Sequence, residues 1–383
     1  MILKPDCSHF PGDRPCTYHK NSGIKCDSCP HYDPVRQRIL IIKFDALGDV
    51  LRTTALLPSL KRQYPAAHVT WLTKKGARDL FINNPFVHEV LTCEDPTTIA
   101  QLQSQSYDIL IHPDASPGSA AYATLARAKI KRGFGLNDLG RVYPFNSDAE
   151  EWFEMGAFDD LKKKNTKTYQ KIIHEIAGLQ DSNSEIVVNL TENEKARAQA
   201  FAQKHGLYRY DFVVGLNTGA GGRWKYKKWT LEGYRDLLAT LRKQYRCGIL
   251  LYGGPEEQER NRALISAFPD ALDTGTDNSL RMFFALVGLS DIFVTGDTMA
   301  LHVATALRKK VVCLFGPTSA NEIEDYGRII KIQPDMSCLV CYKMDCDFVP
   351  HCMGSISSDM VMRAIDRHVQ TIQANGKALA PPA

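Results

Sequence analysis

Short apolar runs alternate with amphipathic, helix-compatible stretches along most of the chain. The first run covers residues 38–43 and leads through the loop 44–49 into a helical stretch that starts at Val50. Similar strand-sized runs follow at residues 69–73, 89–91, 107–112, 212–216, 248–252, 292–295 and 311–315. Strands that alternate with helices are typical of parallel sheets with helical crossovers. The pattern therefore predicts an α/β fold.

One break in this alternation predicts a domain boundary near residue 185. Residues 181–184 are polar, and Thr191 followed by Glu194 forms a capping box that starts a new helix. A one-sided apolar pattern over residues 358–372 predicts a last helix that packs back towards the first domain. We predict four segments: a Cys-rich segment at 1–37, an α/β domain at 38–185, a second one at 186–357 that includes Cys-rich residues 338–352, and the last helix and tail at 358–383.

The composition narrows the class of protein but not its function. With 44% hydrophobic and 23% charged residues, the chain is not disordered, coiled-coil or collagen-like. Its net charge of +4 is too small to indicate a nucleic-acid-binding protein, but it is compatible with an acidic substrate or an anionic membrane face. No apolar run approaches the roughly 18 residues of a membrane span, and residues 1–20 lack the apolar stretch of a secretory signal. We expect a cytoplasmic protein and leave peripheral contact with the inner face of the membrane open.

Eight of the eleven cysteines fall in two clusters near the ends of the chain. In a reducing cytoplasm such clusters favour metal ligands over disulfide staples, and each has one Cys-x2-Cys pair, the spacing of a metal-binding knuckle. The pattern leaves open a structural zinc or iron ion, an iron–sulfur cluster, and disulfides or unlinked thiols. The candidate ligands are Cys7, Cys16, Cys26, Cys29, Cys338, Cys341, Cys346 and Cys352, for which His9, His19, His31 and His351 could substitute. Cys247 and Cys313 lie in apolar runs and are expected to be buried without a function.

Two loops carry residues suited to chemistry on a phosphorylated substrate. Asp49 lies at the start of a helix, where amides and the helix dipole stabilise a carboxylate; it is either a base or a plain N-cap. The glycine-rich loop 217–222 precedes a cationic run at 223–228 that could neutralise a diphosphate or simply form a basic surface. A Walker pattern and a GxGxxG fingerprint are both missing from this stretch, so it does not indicate a P-loop ATPase or a dinucleotide dehydrogenase.

Two further loops follow strands of the second half. Asp297 is placed as an N-cap, with Thr298 and His302 one turn apart on the helix that follows. Free amides at that helix start would bind a phosphate or sugar hydroxyls, whereas a lone His302 is typical of a structural residue. Glu257, in the loop 253–257, could hold a ribose diol.

Taken together, these motifs resemble glycosyltransferase family 9, the ADP-heptose:lipopolysaccharide heptosyltransferases. The resemblance covers about residues 38–330 and is carried by ILIIKFDALGDVLRTTALLPSL from Ile39, KKW at 227–229, GGPEEQE from Gly253, and GDTMALHVATAL followed by VVCLFGPT. It implies a GT-B fold, in which two Rossmann-like domains with parallel sheets face an interdomain cleft, here with Cys-rich terminal segments added. It also implies inverting heptose transfer without a catalytic metal or other cofactor.

The resemblance assigns roles to individual residues. Asp49 corresponds to the general base, and Lys227 to the cation that stabilises the leaving diphosphate, with Lys225 and Lys228 as rival assignments. Arg52 and Asp114 are the expected acceptor-binding residues. The expected donor-binding residues are Thr218, Glu257, Asp297, Thr298, Met299, His302, Gly316, Pro317 and Thr318. Met299 departs from the glycine that many members carry there, which favours a narrower sugar pocket.

We therefore expect a glycosyltransferase that moves heptose from ADP-heptose to a lipopolysaccharide core or a related surface glycan. Its partners would be the nucleotide-sugar and a glycan or glycolipid acceptor, with no nucleic acid. Basic runs at 162–164, 223–228 and 308–310 would suit an anionic acceptor or lipid surface, or are only solvated faces. One alternative keeps the fold but uses another nucleotide-sugar or a protein acceptor. Another is a metal- or redox-sensing binding protein on a transferase scaffold.

Overall fold

Two six-stranded sheets form the framework of the protein. The computed structural model describes residues 1–180, 183–222 and 225–374. The first sheet contains β1 (Gln37–Ile42), β2 (Ala67–Thr73), β3 (Glu89–Thr92), β4 (Ser106–His112), β5 (Arg127–Leu136) and β6 (Val142–Pro144). The second contains β7 (Phe212–Asn217), β8 (Cys247–Tyr252), β9 (Leu272–Asp273), β10 (Ile292–Gly296), β11 (Lys310–Leu314) and β12 (Ile329–Ile332).

Both sheets have the same strand order, in which the chain starts at the centre, moves to one edge and then crosses to the other side. The orders are β3-β2-β1-β4-β5-β6 and β9-β8-β7-β10-β11-β12. All pairings are parallel except that of β5 with β6. The order reverses between β1 and β4 and between β7 and β10, and ligands of open α/β sheets bind beyond the carboxyl ends of such strands. The predicted α/β class is confirmed.

Helices cover both faces of each sheet. In the first half they are α2 (Leu47–Thr53), α3 (Leu56–Gln63), α4 (Thr98–Ser104), α5 (Pro117–Leu125), α6 (Glu150–Ala157), α7 (Asp159–Lys164) and α8 (Tyr169–Ala177). The short helix α1 (Thr17–Ser22) lies in the N-terminal segment and has no buried residues. In the second half they are α9 (Glu192–Lys204), α10 (Leu231–Gln244), α11 (Gln258–Ala267), α12 (Leu280–Val287), α13 (Met299–Ala306) and α14 (Ser358–Ala374). Because strands inside the sheets are covered on both sides, residues 39–42 of β1 and all six residues of β8 are buried.

The predicted capping box at the start of α9 is confirmed. Thr191 Oγ1 accepts a hydrogen bond from the Glu194 amide at 3.3 Å, and Glu194 Oε2 accepts one from the Thr191 amide at 2.8 Å. Arg281 of α12 donates to both oxygens of the same carboxylate, so the cap also fixes α9 against α12. Of the polar run that suggested the domain boundary, residues 181 and 182 lie outside the described part, and the boundary at 185 stays a prediction.

The last helix lies elsewhere than expected. We predicted that residues 358–372 pack back towards the first domain, but α14 packs on α10, β11 and β12 of the second sheet. Asp366 Oδ1 accepts a hydrogen bond from the Tyr245 hydroxyl at 2.8 Å, and His368 Nε2 lies 2.9 Å from the Val311 carbonyl oxygen. The amphipathic pattern identified the helix correctly, but it carries no information about which apolar surface covers it.

The two cysteines in apolar runs, the N-terminal segment and the lengths of the helices complete the description of the fold. Cys247 and Cys313 are buried, as expected, and burial raises the pKa of the Cys247 thiol to about 12. The N-terminal segment is tied to the chain just before β1 by a bridge between Cys7 and Pro34. Within the described ranges, the structure contains no helix with the length and apolar character needed to cross a membrane.

Gly133 is predicted to be essential for the stability of the first sheet. Its φ is +92°, and an added Cβ would lie 1.9 Å from the His112 carbonyl oxygen, which is backbone and cannot move aside. We expect Gly133→Ala to lower the free energy of unfolding by about 3 kcal/mol or more, because strain and overpacking combine. Chemical denaturation measures this directly. Gly140→Ala is the control, since its φ of +69° is similar but a Cβ there meets nothing within 4 Å; an equal loss in both variants would contradict the prediction.

Candidate active site

The carboxyl ends of the two sheets face one another across a cavity of about 870 Å³. Its walls come from the loops after β1, β7, β8 and β10, as the two strand-order reversals predict. The domains meet most closely where α2 and α13 begin. A Cβ on Gly48 would lie 3.2 Å from the Met299 Cα and 3.1 Å from His302 Cδ2. Two helix N-termini therefore meet at one point of the cavity.

Asp49 is the carboxylate that α2 presents to this cavity. It is the third residue of the helix, whose N-cap is Ala46, so its interpretation as a plain N-cap is wrong. Its Oδ2 accepts a hydrogen bond from the Ala46 amide at 3.2 Å, and its Oδ1 lies 2.8 Å from Arg52 Nη2. Burial by itself would raise the pKa of Asp49, but Arg52, Lys43 and His302 lower it to about 2. The carboxylate is therefore ionised at neutral pH.

Arg52 connects the first domain to the second. Its guanidinium lies over the Tyr169 ring at 3.6 Å, and the Tyr169 hydroxyl is 2.8 Å from Thr53 Oγ1. Arg52 Nη1 lies 4.0 Å from Glu322 Oε2, a carboxylate of the second half of the chain. The predicted acceptor-binding residue is thus shared between carboxylates of both domains.

Asp114 lines a second cavity of about 410 Å³ that adjoins the first through Asp49 and Arg52. Its Oδ1 lies 3.3 Å from the Lys43 ammonium, and both side chains are largely buried. Burial lowers the pKa of Lys43, but Tyr169, Asp114 and Asp49 outweigh it and raise the pKa above the ordinary value. The structure thus brings Asp49, Arg52 and Asp114 together at the second cavity.

Lys227 and Asp297 form an ion pair on the opposite wall. Lys227 Nζ lies 2.9 Å from Asp297 Oδ2 and donates a hydrogen bond to the Asp297 carbonyl oxygen at 3.2 Å. Burial would raise the pKa of Asp297, but Lys227 and His302 lower it below the usual value. The rival Lys228 does not line the cavity: its Nζ lies 2.7 Å from Glu257 Oε1. Lys225, the other rival, has a side chain outside the described part of the structure.

Glu257 is nearly buried at the edge of the cavity. Its Oε2 accepts a hydrogen bond from the Gly254 amide at 3.0 Å, and Lys228 holds its other oxygen. An added Cβ on Gly219 would lie 2.5 Å from the Glu257 carboxyl carbon. The glycine loop after β7 therefore passes directly over this carboxylate.

The predicted cap of α13 was placed one residue too early. Thr298, not Asp297, is the N-cap, and its Oγ1 accepts a hydrogen bond from the Ala300 amide at 3.2 Å. Asn217 Nδ2 lies 3.4 Å from the same Oγ1 and donates to Thr295 Oγ1 at 3.0 Å. The Asp297 side chain does not cap the helix and instead pairs with Lys227 on the same wall of the cavity.

His302 and Met299 line the cavity, and His302 is almost fully buried. Burial first, and the charge of Arg52 second, lower the pKa of His302 to about 4, against the opposite effect of Asp297 and Asp49. The imidazole is therefore neutral at pH 7. It can accept or donate a hydrogen bond but supplies no positive charge.

Three of the predicted donor-binding residues lie behind the cavity wall. Thr218 is buried, and its hydroxyl bonds the Tyr252 carbonyl oxygen at 3.0 Å and Asn261 Oδ1 at 2.7 Å. Gly316 and Pro317 do not line the cavity, whereas Thr318 does. Thr218, Gly316 and Pro317 therefore lie behind the residues that line the cavity.

Lys43, Glu322 and Tyr342 line the cavities but were missed as site residues. Lys43 directly precedes the predicted loop and could have been found by its position at the end of an apolar strand. Glu322 and Tyr342 carry no local signal, since both are isolated in irregular segments after β11 and β12. Only tertiary structure brings them to Arg52.

The structure gives the metal prediction no support. Among residues 1–180, 183–222 and 225–374, no group of three or more His, Cys, Asp or Glu side chains is placed to hold a metal ion, and all eleven cysteines are free. The C-terminal cysteines are nevertheless near one another. Burial, together with the electrostatic influence of Cys341, Cys346 and Cys338, raises the pKa of the Cys352 thiol to about 11. Metal binding stays a prediction.

Comparison with known proteins identifies relatives of the chain. Residues 97–351 match glycosyltransferase family 9 (heptosyltransferase). Over 311 residues the chain is 23% identical to lipopolysaccharide heptosyltransferase 1 of Escherichia coli K12, which covers 76% of this chain and 91% of that relative. The structure of E. coli ADP-heptose lps heptosyltransferase II has a TM-score of 0.64 at 18% identity, covering 88% of this chain and 100% of that one.

A more distant structure is the iron-containing dodecameric glycosyltransferase TibC from enterotoxigenic E. coli H10407. It has a TM-score of 0.53 at 12% identity, and the match covers 88% of this chain and 77% of that one. The two parallel-sheet domains and these structural relatives together confirm the GT-B fold that the sequence resemblance implied.

We predict that Arg52 sets the low pKa of Asp49. Replacing it by glutamine removes the nearest cation, so the pKa of Asp49 should rise from about 2 towards its ordinary value. Carboxyl ¹³C shifts of labelled aspartate, assigned with Asp49→Asn, follow this titration. Arg62→Gln is the control, because Arg62 lies in α3 and bonds Ser184 Oγ. An unchanged Asp49 midpoint in Arg52→Gln would contradict the assignment.

Proposed function

The chain belongs to glycosyltransferase family 9 and is a glycosyltransferase, and from this premise we propose that it transfers heptose from ADP-heptose to a hydroxyl of a lipopolysaccharide core or a related surface glycan, with inversion. One observation carries the proposal. The carboxylate of Asp49 and the ammonium of Lys227 line one cavity from opposite domains. A base and a cation placed on opposite walls are what a direct displacement at a sugar carbon requires.

The donor diphosphate would lie against the second domain. Lys227 and the amides at the start of α13 supply positive charge there, so a diphosphate would compete with Asp297 for Lys227. We assign Glu257 to the ribose, because its carboxylate lies under the glycine loop at the cavity edge. Thr298, Met299, His302 and Thr318 would contact the phosphates and sugar, while Thr218, Gly316 and Pro317 support them from behind.

The reaction follows from this placement. The acceptor oxygen forms a bond to the anomeric carbon while the bond from that carbon to the phosphate oxygen breaks, and the electron pair leaves with ADP. The acceptor proton passes to Asp49. A carboxylate with a pKa of about 2 is a weak base, so proton transfer becomes favourable only late, once the bond to carbon has made the hydroxyl acidic. Lys227 stabilises the growing charge on the diphosphate.

An anionic acceptor fits the second cavity, whose lining includes Lys43, Arg52 and Lys162. Asp114 would orient a neutral hydroxyl there. Of the side chains in the basic runs of the sequence that the structure describes, Lys162 alone lines this cavity. Lys309 donates to the Gly288 carbonyl oxygen, and Arg308 pairs with Glu185. Peripheral contact with the membrane, which a glycolipid acceptor would favour, also belongs to this proposal, as does a cytoplasmic site of action.

Another nucleotide-sugar or a protein acceptor is the second candidate, favoured by Met299. Its side chain lies in the cavity wall beside the helix start that would meet the sugar. Methionine is larger than the glycine that many family members carry there, so it narrows the space for the sugar and leaves the nucleotide end of the cavity unchanged. Family membership favours either enzyme over a metal- or redox-sensing protein.

We further propose that the Cys338, Cys341, Cys346 and Cys352 set holds a structural zinc or iron ion, outside the catalytic step. Support comes from the Cys-x2-Cys spacing of Cys338 and Cys341 and from the structurally similar, iron-containing TibC. The N-terminal set, Cys7, Cys16, Cys26 and Cys29, is proposed on spacing alone. We leave an iron–sulfur cluster or unlinked thiols as the other outcomes.

We predict that Asp49→Asn lowers kcat by about 10² to 10⁴-fold, because it removes the base, while ADP-heptose binding stays unchanged. Turnover is followed as ADP release in the presence of an acceptor, and binding by calorimetry. Asp95→Asn is the control: Asp95 also accepts a backbone amide near a helix, at 2.9 Å from Thr97 N, but is remote from both cavities. Turnover close to the wild-type rate in Asp49→Asn would remove Asp49 as the base.

Metal content tests the cysteine proposal. Protein purified without oxygen should contain about one zinc or iron per C-terminal site, and Cys338→Ser with Cys341→Ser should remove it. Elemental analysis and thermal unfolding measure both effects. Cys247→Ser is the control, since that thiol is buried in β8 away from the cluster. Metal-free protein of unchanged stability would contradict the proposal.

A further inference from the structure

Tyr342 lies at the point where the two cavities join, and it comes from the Cys-rich segment rather than from either sheet. We propose that Tyr342 is a positioning residue for the transfer: through Glu322 it determines how tightly Arg52 holds Asp49. This inference rests on the proposed function, because it concerns the base of that reaction.

A chain of polar contacts leads from Tyr342 to Asp49. The Tyr342 hydroxyl donates to Glu322 Oε1 at 2.9 Å. Glu322 Oε2 lies 4.0 Å from Arg52 Nη1, and Arg52 Nη2 lies 2.8 Å from Asp49 Oδ1. The two nitrogens of one guanidinium therefore face different carboxylates. Because the Tyr169 ring holds the plane of that guanidinium, a change in the charge of Glu322 would alter how strongly Arg52 pairs with Asp49.

The backbone holds Tyr342 in place independently of its hydroxyl. The Val340 amide donates to the Gly316 carbonyl oxygen at 3.1 Å, and the Tyr342 amide to that of Pro317 at 2.9 Å. Both donors have left-handed φ angles, +58° and +51°, which a β-branched or bulky residue adopts at a cost. Such strain persists only where the surroundings over-determine it, and it is concentrated at functional sites.

Cys352 packs against Gly316, whose carbonyl oxygen accepts the hydrogen bond from Val340. An added Cβ on Gly316 would lie 2.3 Å from Cys352 Sγ, so the Cys-rich segment packs directly against the loop that follows β11. The Cys-rich segment thereby brings the Tyr342 hydroxyl into the cavity from behind the loop that follows β11.

The charges at Glu322 show how the hydroxyl would act. Burial raises the pKa of Glu322, while Arg52 and the Tyr342 hydrogen bond oppose this; Asp297 and Asp49 also face it and raise it further. Loss of the hydroxyl would favour neutral Glu322. A neutral partner attracts the guanidinium less, so Arg52 would pair more closely with Asp49, and a base held by a cation accepts a proton less readily.

The test is Tyr342→Phe, which removes the hydroxyl but keeps the ring that lies 4.4 Å from Lys162 Nζ. We expect kcat to fall about tenfold with an unchanged KM for the donor, and the acid limb of kcat to move to lower pH, because closer pairing with Arg52 lowers the pKa of Asp49. Tyr245→Phe is the matched control, because it removes another tyrosine–carboxylate hydrogen bond, to Asp366, far from the cavities. A loss in both variants, or in neither, would overturn the proposal.

A second variant separates positioning from a merely structural role. Glu322→Gln should lower kcat to a similar extent, and adding Tyr342→Phe to it should cause little further loss. The hydroxyl also accepts a hydrogen bond from the Ser319 amide at 3.3 Å, but by this proposal its effect on the rate passes through Glu322. Independent, multiplying losses would contradict the proposal. Thermal unfolding of each variant shows whether a loss of rate reflects a loss of folded protein.

One readout does not depend on activity. In protein labelled with ¹⁵N-arginine, the Nε–H signal of Arg52, assigned with Arg52→Lys, should shift in Tyr342→Phe and in Glu322→Gln but not in Tyr245→Phe. An unmoved signal in Tyr342→Phe overturns the positioning role. If the wild-type protein transfers no heptose while the signal does shift, the proposed function has failed and the coupling of Tyr342 to Arg52 stands.

Discussion

The close approach of α2 to α13 is the contact on which the rest of the site depends. An added Cβ on Gly48 would lie 3.2 Å from the Met299 Cα and 3.1 Å from His302 Cδ2, so a larger residue there would require α2 or α13 to shift by a few tenths of an ångström. Because each helix follows a central strand of its own sheet, this one contact aligns the carboxyl edges of both domains. It also brings two carboxylates, Asp49 and Asp297, to the same cavity, and their charges must be balanced there.

Cations from both domains supply that balance. Arg52 pairs with Asp49, and Lys227 with Asp297. Neither pair is isolated, since Glu322 competes for Arg52 and a donor diphosphate would compete for Lys227. In the proposed reaction, the base Asp49 and the leaving-group cation Lys227 are thus both paired until substrates arrive. We infer that an acceptor that binds Arg52 weakens the pairing of Arg52 with Asp49, and that a donor diphosphate that binds Lys227 replaces Asp297 as its partner.

The sequence predicted the features that depend on neighbours along the chain. Residues 39–42 of β1 and all of β8 are buried because helices cover both of their faces, and Asp49 was singled out because it lies at the start of the helix that follows β1. β5 was missed, since its half-exposed residues 127–132 are mostly charged. Contacts between distant segments left no local signal: α14 was assigned to the wrong domain, and Glu322 reaches Arg52 only in the folded chain.

The central claim is that the second domain recognises ADP-heptose, and a calorimetric titration tests it most directly. The wild-type protein, purified without oxygen, is titrated with ADP-heptose and, in parallel, with UDP- and GDP-sugars. The account predicts saturable binding of ADP-heptose that is clearly tighter than that of the other donors. Tighter binding of a UDP- or GDP-sugar, or no binding of ADP-heptose, would contradict it.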